Sequence, residues 1–267
     1  MTLWRVDGRT HMDLQLNGTR VLITGSSQGI GFAIAAACAA EGAHVIINGR
    51  SQASVDAAVQ RLGGSAEGVV ADLSGAAGVQ HLIEAAGRVD VLINNAGGFD
   101  VSDFWNVGDQ EWNDYLELHL LAAMRLSRAL LPGMLERGWG RIITVASEAG
   151  VNVPGDMLPY GVAKGAVLAL GNGLAKLTKG TEVTVNTVLG GPTYSEGVQR
   201  AVEGIAAAQG MMAEDLRKAL VRDSSLLQRF LEPHEIAAPV TFLASPLSVA
   251  SNGAAIRLDG GVLQTLL

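Results

Sequence analysis

The sequence predicts a single α/β domain in which stacked βαβ units form a parallel sheet with helices on both faces. Three observations carry that prediction. Short β-rich runs alternate with longer Ala- and Leu-rich helical stretches from residue 20 towards the C-terminus, the order expected of βαβ units. That alternation in turn indicates a parallel sheet covered on both faces. The 267 residues, 48% of them apolar, suffice for one large core, and no Pro/Ser-rich linker or repeat divides them.

Taken in order, residues 1–12 lack periodicity and are expected to be a mobile leader to a domain spanning 13–267. RVLIT gives the first strand and a helix follows from Ile30; HVIIN gives the second, with a helix from Ser54; EGVVA gives the third, with a helix from Ala76. VDVLI is the fourth strand. The long helix from Gln110 places Trp112, Leu116, His119, Ala123 and Leu126 on one stripe, the spacing of a buried helix face. His119 is thus either a hydrogen-bonded core imidazole or a functional group, and the stripe alone leaves both open. RIITVA, a helix from Leu158 and VTVNTV continue the alternation, and AAIRL before the turn DGG is the last strand. Residues 193–226 interrupt it with two helical pieces holding Met211 and Met212. Such an insertion is either a lid over a ligand or a surface extension.

Composition excludes several classes. The net charge of -7 is spread along the chain without a basic cluster, so nucleic acid is not an expected partner. The longest apolar runs, such as IAAACAA, fall short of the roughly 18 residues that span a bilayer, and the N-terminus has no signal-peptide core. A cytoplasmic protein is expected. Cys38, the one cysteine, cannot form an internal disulfide and sits among alanines as packing. No metal is expected.

Two motifs carry chemistry. In TGSSQGIG, residues 24–31, Gly25, Gly29 and Gly31 join the first strand to the first helix, where glycines permit a tight turn and the helix N-terminus offers N–H groups to a pyrophosphate. An ordinary strand-to-helix turn is the plain alternative in a chain with 34 glycines; the position at the opening of the first βα unit favours nucleotide binding by Gly25, Ser27, Gln28, Gly29, Ile30 and Gly31. In YGVAK, Tyr160 and Lys164 lie one helical turn apart on one face. An ammonium stabilises a nearby phenolate and is expected to lower the Tyr160 pKa, fitting the pair to shuttle a proton to a carbonyl oxygen, although a surface helix pair has the same spacing. Ser147 ends RIITVAS at the carboxyl edge of the sheet, where a hydroxyl can hydrogen-bond an oxygen gaining charge.

TGSSQGIG, NNAG at residues 94–97, Ser147 and YGVAK, in this order, resemble the short-chain dehydrogenase/reductase family. The similarity runs from about Asp13 to DGG and extends to ADL at 71–73, VNTVLGGPTYSEG and SNGAAIRLDGG. It implies a Rossmann fold with a doubly wound seven-stranded sheet, a nicotinamide cofactor, and interconversion of a ketone and a secondary alcohol, with a 3-oxoacyl-carrier-protein reductase-like activity among the candidates. The resemblance assigns Ser147 to orienting the carbonyl, Tyr160 to proton transfer, and Lys164 to the nicotinamide ribose. It places Asp72 and Leu73 at the adenine, Asn95, Ala96 and Gly97 along the cofactor groove, and Ser195, where many relatives have Thr, at the carboxamide, with Gly191 and Thr193 also among the cofactor-binding residues. Many members are homotetramers or dimers, and Gly161, Ala163, Gly165, Ala169, Gly171 and Gly173 would permit close packing of helices between subunits.

Two positions depart from the family pattern. Gly190 replaces the usual proline, which should loosen the loop under the nicotinamide. His119 stands where the family carries the Asn of its catalytic tetrad, beside a water linking Lys164 to solvent; an imidazole there is expected to titrate between about pH 5 and 8. If both mark lost catalysis, the protein is instead a nucleotide binder with little turnover. At the end of the second strand, Asn48, Gly49 and Arg50 replace the carboxylate of NAD-preferring enzymes, and a guanidinium suits a 2′-phosphate, so NADP is favoured over NAD. Gln28 stands where some NADP enzymes have a second basic group. Phe99, Phe104, Trp105, Met157, Leu158, Tyr194, Met211 and Met212 either line an apolar substrate pocket or pack.

Overall fold

The computed structural model describes residues 3–6 and 9–265. A short hairpin, β1 (Leu3–Val6) against β2 (Arg9–Met12), pairs antiparallel and apart from the main sheet. Of the leader expected to be mobile, residues 1, 2, 7 and 8 lie outside the described residues.

The first half of the domain runs β3 (Arg20–Ile23), α1 (Gly29–Ala40), β4 (His44–Gly49), α2 (Gln52–Leu62), β5 (Ala66–Val70), α3 (Ala76–Ala86) and β6 (Val91–Asn94). The second half runs α4 (Asp109–Tyr115), α5 (Ala122–Arg137), β7 (Trp139–Ser147), α6 (Leu158–Ala175), β8 (Glu182–Gly190), α7 (Glu196–Gln209), α8 (Ala213–Ala219), α9 (Pro233–Ala244) and β9 (Ala255–Leu258). The main sheet has seven strands in the order β5-β4-β3-β6-β7-β8-β9, and every neighbouring pair is parallel. From β3 the chain winds outward through β4 and β5, then returns to lay β6 on the other side of β3. That reversal opens a crevice at the carboxyl ends of β3 and β6, the place where sheets of this topology bind ligands.

Alternation along the strands divides the core. Val21 and Ile23, Val45 and Ile47, and Val91 and Ile93 face one side, against Ile34 and Cys38 of α1 and Ile236 and Val240 of α9. Leu22, Ile46, Leu92 and Ile142 face the other, against Val79 and Leu82 of α3 and Leu126 and Leu130 of α5. Cys38 is fully buried, 3.9 Å from the Thr241 hydroxyl, and burial pushes its thiol up to about 12, as packing rather than reactivity requires.

The long helix expected from Gln110 forms, but it is not α-helical throughout. Residues Leu116–Leu121 form a π-helical turn between α4 and α5. The extra residue resets the helix face, so His119, Ala123 and Leu126 are buried while Trp112 and Leu116 are only partly so. Turns of this kind concentrate at functional sites because they aim one side chain out of register. The small residues of α6 also differ from expectation as a common subunit-facing stripe. A Cβ on Gly161 would come within 2.5 Å of Val153 and one on Gly171 within 2.4 Å of Thr187, so these glycines serve close packing inside the chain, while Ala169 and Gly173 are exposed.

Candidate active site

The glycine-rich turn between β3 and α1 is held from behind by Asn48. Its side-chain carbonyl accepts from the Gly25 N–H at 3.2 Å, and its amide donates to Val69 and Ala71 carbonyls at 3.3 and 3.2 Å. Asn48 is therefore committed to bracing the loop, and of the residues ending the second strand only Arg50 extends outward, exposed and, among the described residues, without an ion pair or hydrogen bond. Gly25 has φ 60°, and a Cβ on it would lie 2.8 Å from the Ala96 Cα, so only glycine fits where the turn meets NNAG. Thr24 accepts N–H bonds from Asn95 and Ala96 at 2.9 Å, and the Asn95 amide donates to the Thr24 and Gly25 carbonyls at 3.0 Å. These bonds tie the ends of β3 and β6 into one groove.

The mouth of this turn accepts an anion. The Glu196 carboxylate, from the first turn of α7, receives the Gly29 N–H at 2.8 Å. Its oxygen stands in for a phosphate oxygen at the N-terminus of α1, so the loop passes the test that a pyrophosphate group would set it. Arg200, one turn along α7, donates to the Gln28 side chain at 2.9 Å, which brings a guanidinium to the position noted as lacking a basic group. Sequence spacing could not reveal either contact, since the partners are 167 and 172 residues apart.

Ser147, Tyr160, Lys164 and His119 come together at the carboxyl edge. Ser147 ends β7, and its hydroxyl accepts from the Ala149 N–H at 3.1 Å. The Lys164 ammonium is buried, donates to the Val145 carbonyl at 2.8 Å and lies 5.7 Å from the centre of the Tyr160 ring. Burial lowers the Lys164 pKa to about 8. The Tyr160 ring keeps partial exposure and is walled by Phe99, Tyr115 and His119, with ring centres 5.8, 6.5 and 5.5 Å away. The expectation that Lys164 lowers the Tyr160 pKa is corrected: desolvation raises it to about 12, and the opposing influences are a hydrogen bond with Ser147 and the charge of Arg222. The Lys164 ammonium spends its nearest proton on a β7 carbonyl rather than on the phenol.

His119 stacks on Tyr115, its Nε2 3.0 Å from the Gly98 carbonyl. A carbonyl only accepts, so Nε2 carries the proton and Nδ1 faces inward as a buried acceptor without a partner. A Cβ on Gly97 would meet the His119 ring at 2.5 Å, which explains the last glycine of NNAG. Burial first and Lys164 second depress the imidazole pKa to about 3, so the expected titration between pH 5 and 8 is corrected: His119 stays neutral throughout that range. Thr24, Asn94, His119, Thr144 and Lys164 help line a cavity of about 10 Å³; both amide atoms of buried Asn94 lack partners. A space of this size with polar walls suits one water.

Elsewhere the groove departs in detail from expectation. Asp72 is exposed and accepts from the Ser74 N–H at 3.0 Å, which holds its carboxyl below the usual range, while Leu73 is buried. Gly190 belongs to a strand, paired with Ser147 on one side and Leu258 on the other, so two ladders oppose the loosening expected of it. Gly191 donates to Leu258 at 3.0 Å, Thr193 donates to the Gly191 carbonyl at 2.9 Å, and Ser195 caps α7 by accepting from Val198 at 3.4 Å. Of the residues proposed to line a pocket, Phe99 lies on Tyr160; Phe104 and Trp105 pair with each other and are exposed, and Tyr194 packs between Phe230 and Arg217. Among the described residues no cluster of His, Cys, Asp or Glu would hold a metal, and no helix is long and apolar enough to cross a membrane.

A family model described as short chain dehydrogenase matches residues 19–221. The chain is 45% identical over 263 residues to an oxidoreductase of Bacillus subtilis named YvrD, covering 96% of this chain and all of that one. It is 32% identical over 260 residues to the 3-oxoacyl-[acyl-carrier-protein] reductase of Vibrio cholerae, covering 93% and 99%. Among solved structures, L-sorbose reductase from Gluconobacter frateurii, complexed with NADPH and L-sorbose, matches with a TM-score of 0.90 at 32% identity, covering 96% of this chain and all of that one.

Proposed function

The chain belongs to the short-chain dehydrogenase family, oxidoreductases acting on alcohol and ketone groups, and we propose that it interconverts a small-molecule ketone and its secondary alcohol using NADP(H), with Tyr160 as general acid and base. The observation supporting this most directly is the gathering of Tyr160 with the buried Lys164 ammonium and His119, near the end of β7 that carries Ser147, beside an anion-accepting glycine turn. Residues Gly25 to Gly31 would hold the pyrophosphate, Arg50 a 2′-phosphate, Asp72 and Leu73 the adenine, Asn95 to Gly97 the groove wall, and Gly191, Thr193 and Ser195 the carboxamide side. The nicotinamide supplies or accepts the hydride. In ketone reduction the Tyr160 hydroxyl gives its proton to the carbonyl oxygen, towards which Ser147 donates a hydrogen bond, and Lys164 with the polar cavity behind it returns a proton to the phenolate. Residues 13–267 form one domain in this reading, with 193–226 as a lid, and the protein works in the cytoplasm as a homo-oligomer.

The testing experiment is a panel of L-sorbose, a 3-oxoacyl thioester and cyclic ketones with NADPH and NADH, followed by nicotinamide absorbance. No turnover of any member, or of the matching alcohols with the oxidised nucleotides, rejects the reading. Two further results are expected. Glu196→Gln should tighten NADPH binding about three- to tenfold, because a pyrophosphate then displaces a neutral amide rather than a partly exposed carboxylate from Gly29; an unchanged or weaker Kd by calorimetry removes Glu196 from the entry step. For His119, kcat between pH 5 and 8 should follow one curve in wild type and His119→Asn, since neither side chain titrates there. His119→Leu should lose several-fold at every pH, the value of about 1 kcal/mol for a polar group facing the cavity, and full activity in that variant would assign His119 to packing.

A further inference from the structure

Arg222 follows α8 near the end of residues 193–226, and its Nη1 lies 3.0 Å from Oε1 of Glu148. Glu148 is the residue after Ser147, so the contact joins the insertion to the strand end that carries the reaction. The two partners are unlike in exposure: 4% of the Glu148 side chain reaches solvent against 35% of Arg222. The second carboxylate oxygen, Oε2, is buried with no partner. A buried carboxylate with one free oxygen is costly unless a cation stays beside it, and the cation here is borne by the segment proposed to move.

The surroundings give this pair its consequence. Tyr160 is faced by Ser147 of β7, Glu148 beyond it, Tyr115 of α4, His119 of the π turn, Lys164 of its own helix, and Arg222. Asp259, in the turn after β9 and paired with Arg257 at 3.3 Å, adds negative charge near Glu148. Of these groups the guanidinium is the one delivered by the insertion. A negative Glu148 disfavours a phenolate at Tyr160 and a positive Arg222 favours it, so docking of the segment and readiness of the phenol to give up its proton vary together.

We propose that Arg222 is a positioning residue of the reaction: brought in by residues 193–226, its guanidinium neutralises Glu148 and completes the electrostatic environment in which Tyr160 transfers its proton. This rests on the reading of Tyr160 as the acid and base. Neither Arg222 nor Glu148 touches the reacting atoms in this scheme. Their contribution is that proton transfer proceeds when the segment is docked and is suppressed when it is not.

The test is the pH dependence of kcat for oxidation, by NADP+, of the alcohol corresponding to the best ketone of the panel. In Arg222→Ala the rising limb is expected to move to higher pH, a loss of about tenfold in kcat at fixed pH below it for each unit of displacement. Arg222→Lys should restore most of the loss, and Glu148→Gln placed in the Arg222→Ala background should bring the limb back down, which a merely structural defect would not allow. If Arg222→Ala does not fold, Glu148→Gln alone carries the test, with its limb expected at lower pH than wild type. A limb that stays in place in the foldable variants, or a double variant no better than Arg222→Ala, overturns the proposal while leaving the function of Tyr160 intact. Absence of wild-type turnover with either nucleotide overturns both.

Discussion

Tyr160→Phe is expected to lower turnover by ~10²–10⁴, the usual contribution of a positioned general acid or base, while NADPH binds within a few-fold of wild type. The phenol carries the whole expectation. Its pKa of about 12 keeps it protonated at neutral pH, the form required to give a proton to a ketone oxygen. The reverse reaction needs the phenolate, so alcohol oxidation should accelerate with rising pH where ketone reduction does not. Lys164, with its pKa near 8, holds its charge at pH 7 and loses it above 8, where reduction should begin to fall. Phenylalanine preserves the ring that packs on Phe99 and His119, so the melting temperature should change little and the loss can be assigned to the missing hydroxyl. Near-normal activity in the variant would remove Tyr160 from the proton step. A wild type that binds NADPH but turns over no substrate would instead favour a nucleotide-binding protein whose catalysis is impaired.

Local chemistry was legible in the sequence wherever it was local in space. Short β-rich runs between helical stretches located all seven strands of the main sheet to within a few residues, because strands covered on both faces are rich in apolar and β-branched residues. The glycines between β3 and α1, the NNAG segment, and the Tyr160–Lys164 pair were each picked out by neighbours a few positions away, and the fold gathers them at the carboxyl ends of the strands. What was hidden depends on distant parts of the chain. Asn48 stands at the strand end where NAD-preferring enzymes carry a carboxylate, and its amide is in fact consumed by the carbonyls of Val69 and Ala71. Gln28 looked neutral and has Arg200 on it. The stripe through His119 followed a regular 3.6-residue period, whereas a π turn supplies the burial, and only that burial, together with Lys164, takes the imidazole out of the neutral range. The raised pKa of Tyr160 has the same origin: desolvation is a property of the folded neighbourhood and outweighs the one charge that the helix spacing made visible. Glu148 offered the clearest missed signal, the one charged residue in the run VASEAGV, and the fold buries it beside the Arg222 guanidinium.

NADPH should bind tighter than NADH by a factor on the order of 10–100, and Arg50→Ala should erase the difference. A charge-assisted hydrogen bond contributes about 1.5–3 kcal/mol, which sets that range, and the exposure of Arg50 places the expectation at its lower end. Because Arg50 pairs with nothing among the described residues, it reaches a 2′-phosphate without first breaking another contact. Asp72 lies near enough for Arg50 to help hold its carboxyl deprotonated, and that negative charge makes removal of Arg50 doubly unfavourable for the phosphate while leaving the diol of NADH largely untouched. Salt adds an independent check: the preference should shrink as ionic strength rises, since an exposed ion pair is screened over about 10 Å at 0.1 M. Arg200 must be separated from this effect. It reaches Gln28 from α7, so Arg200→Ala is expected to weaken both nucleotides alike if it acts on the pyrophosphate that they share. Titration calorimetry of wild type and the two variants with each nucleotide distinguishes the assignments. Equal affinities in wild type, or a ratio that survives Arg50→Ala, would take the 2′-phosphate away from Arg50, and a ratio that instead collapses in Arg200→Ala would give it to the guanidinium on α7.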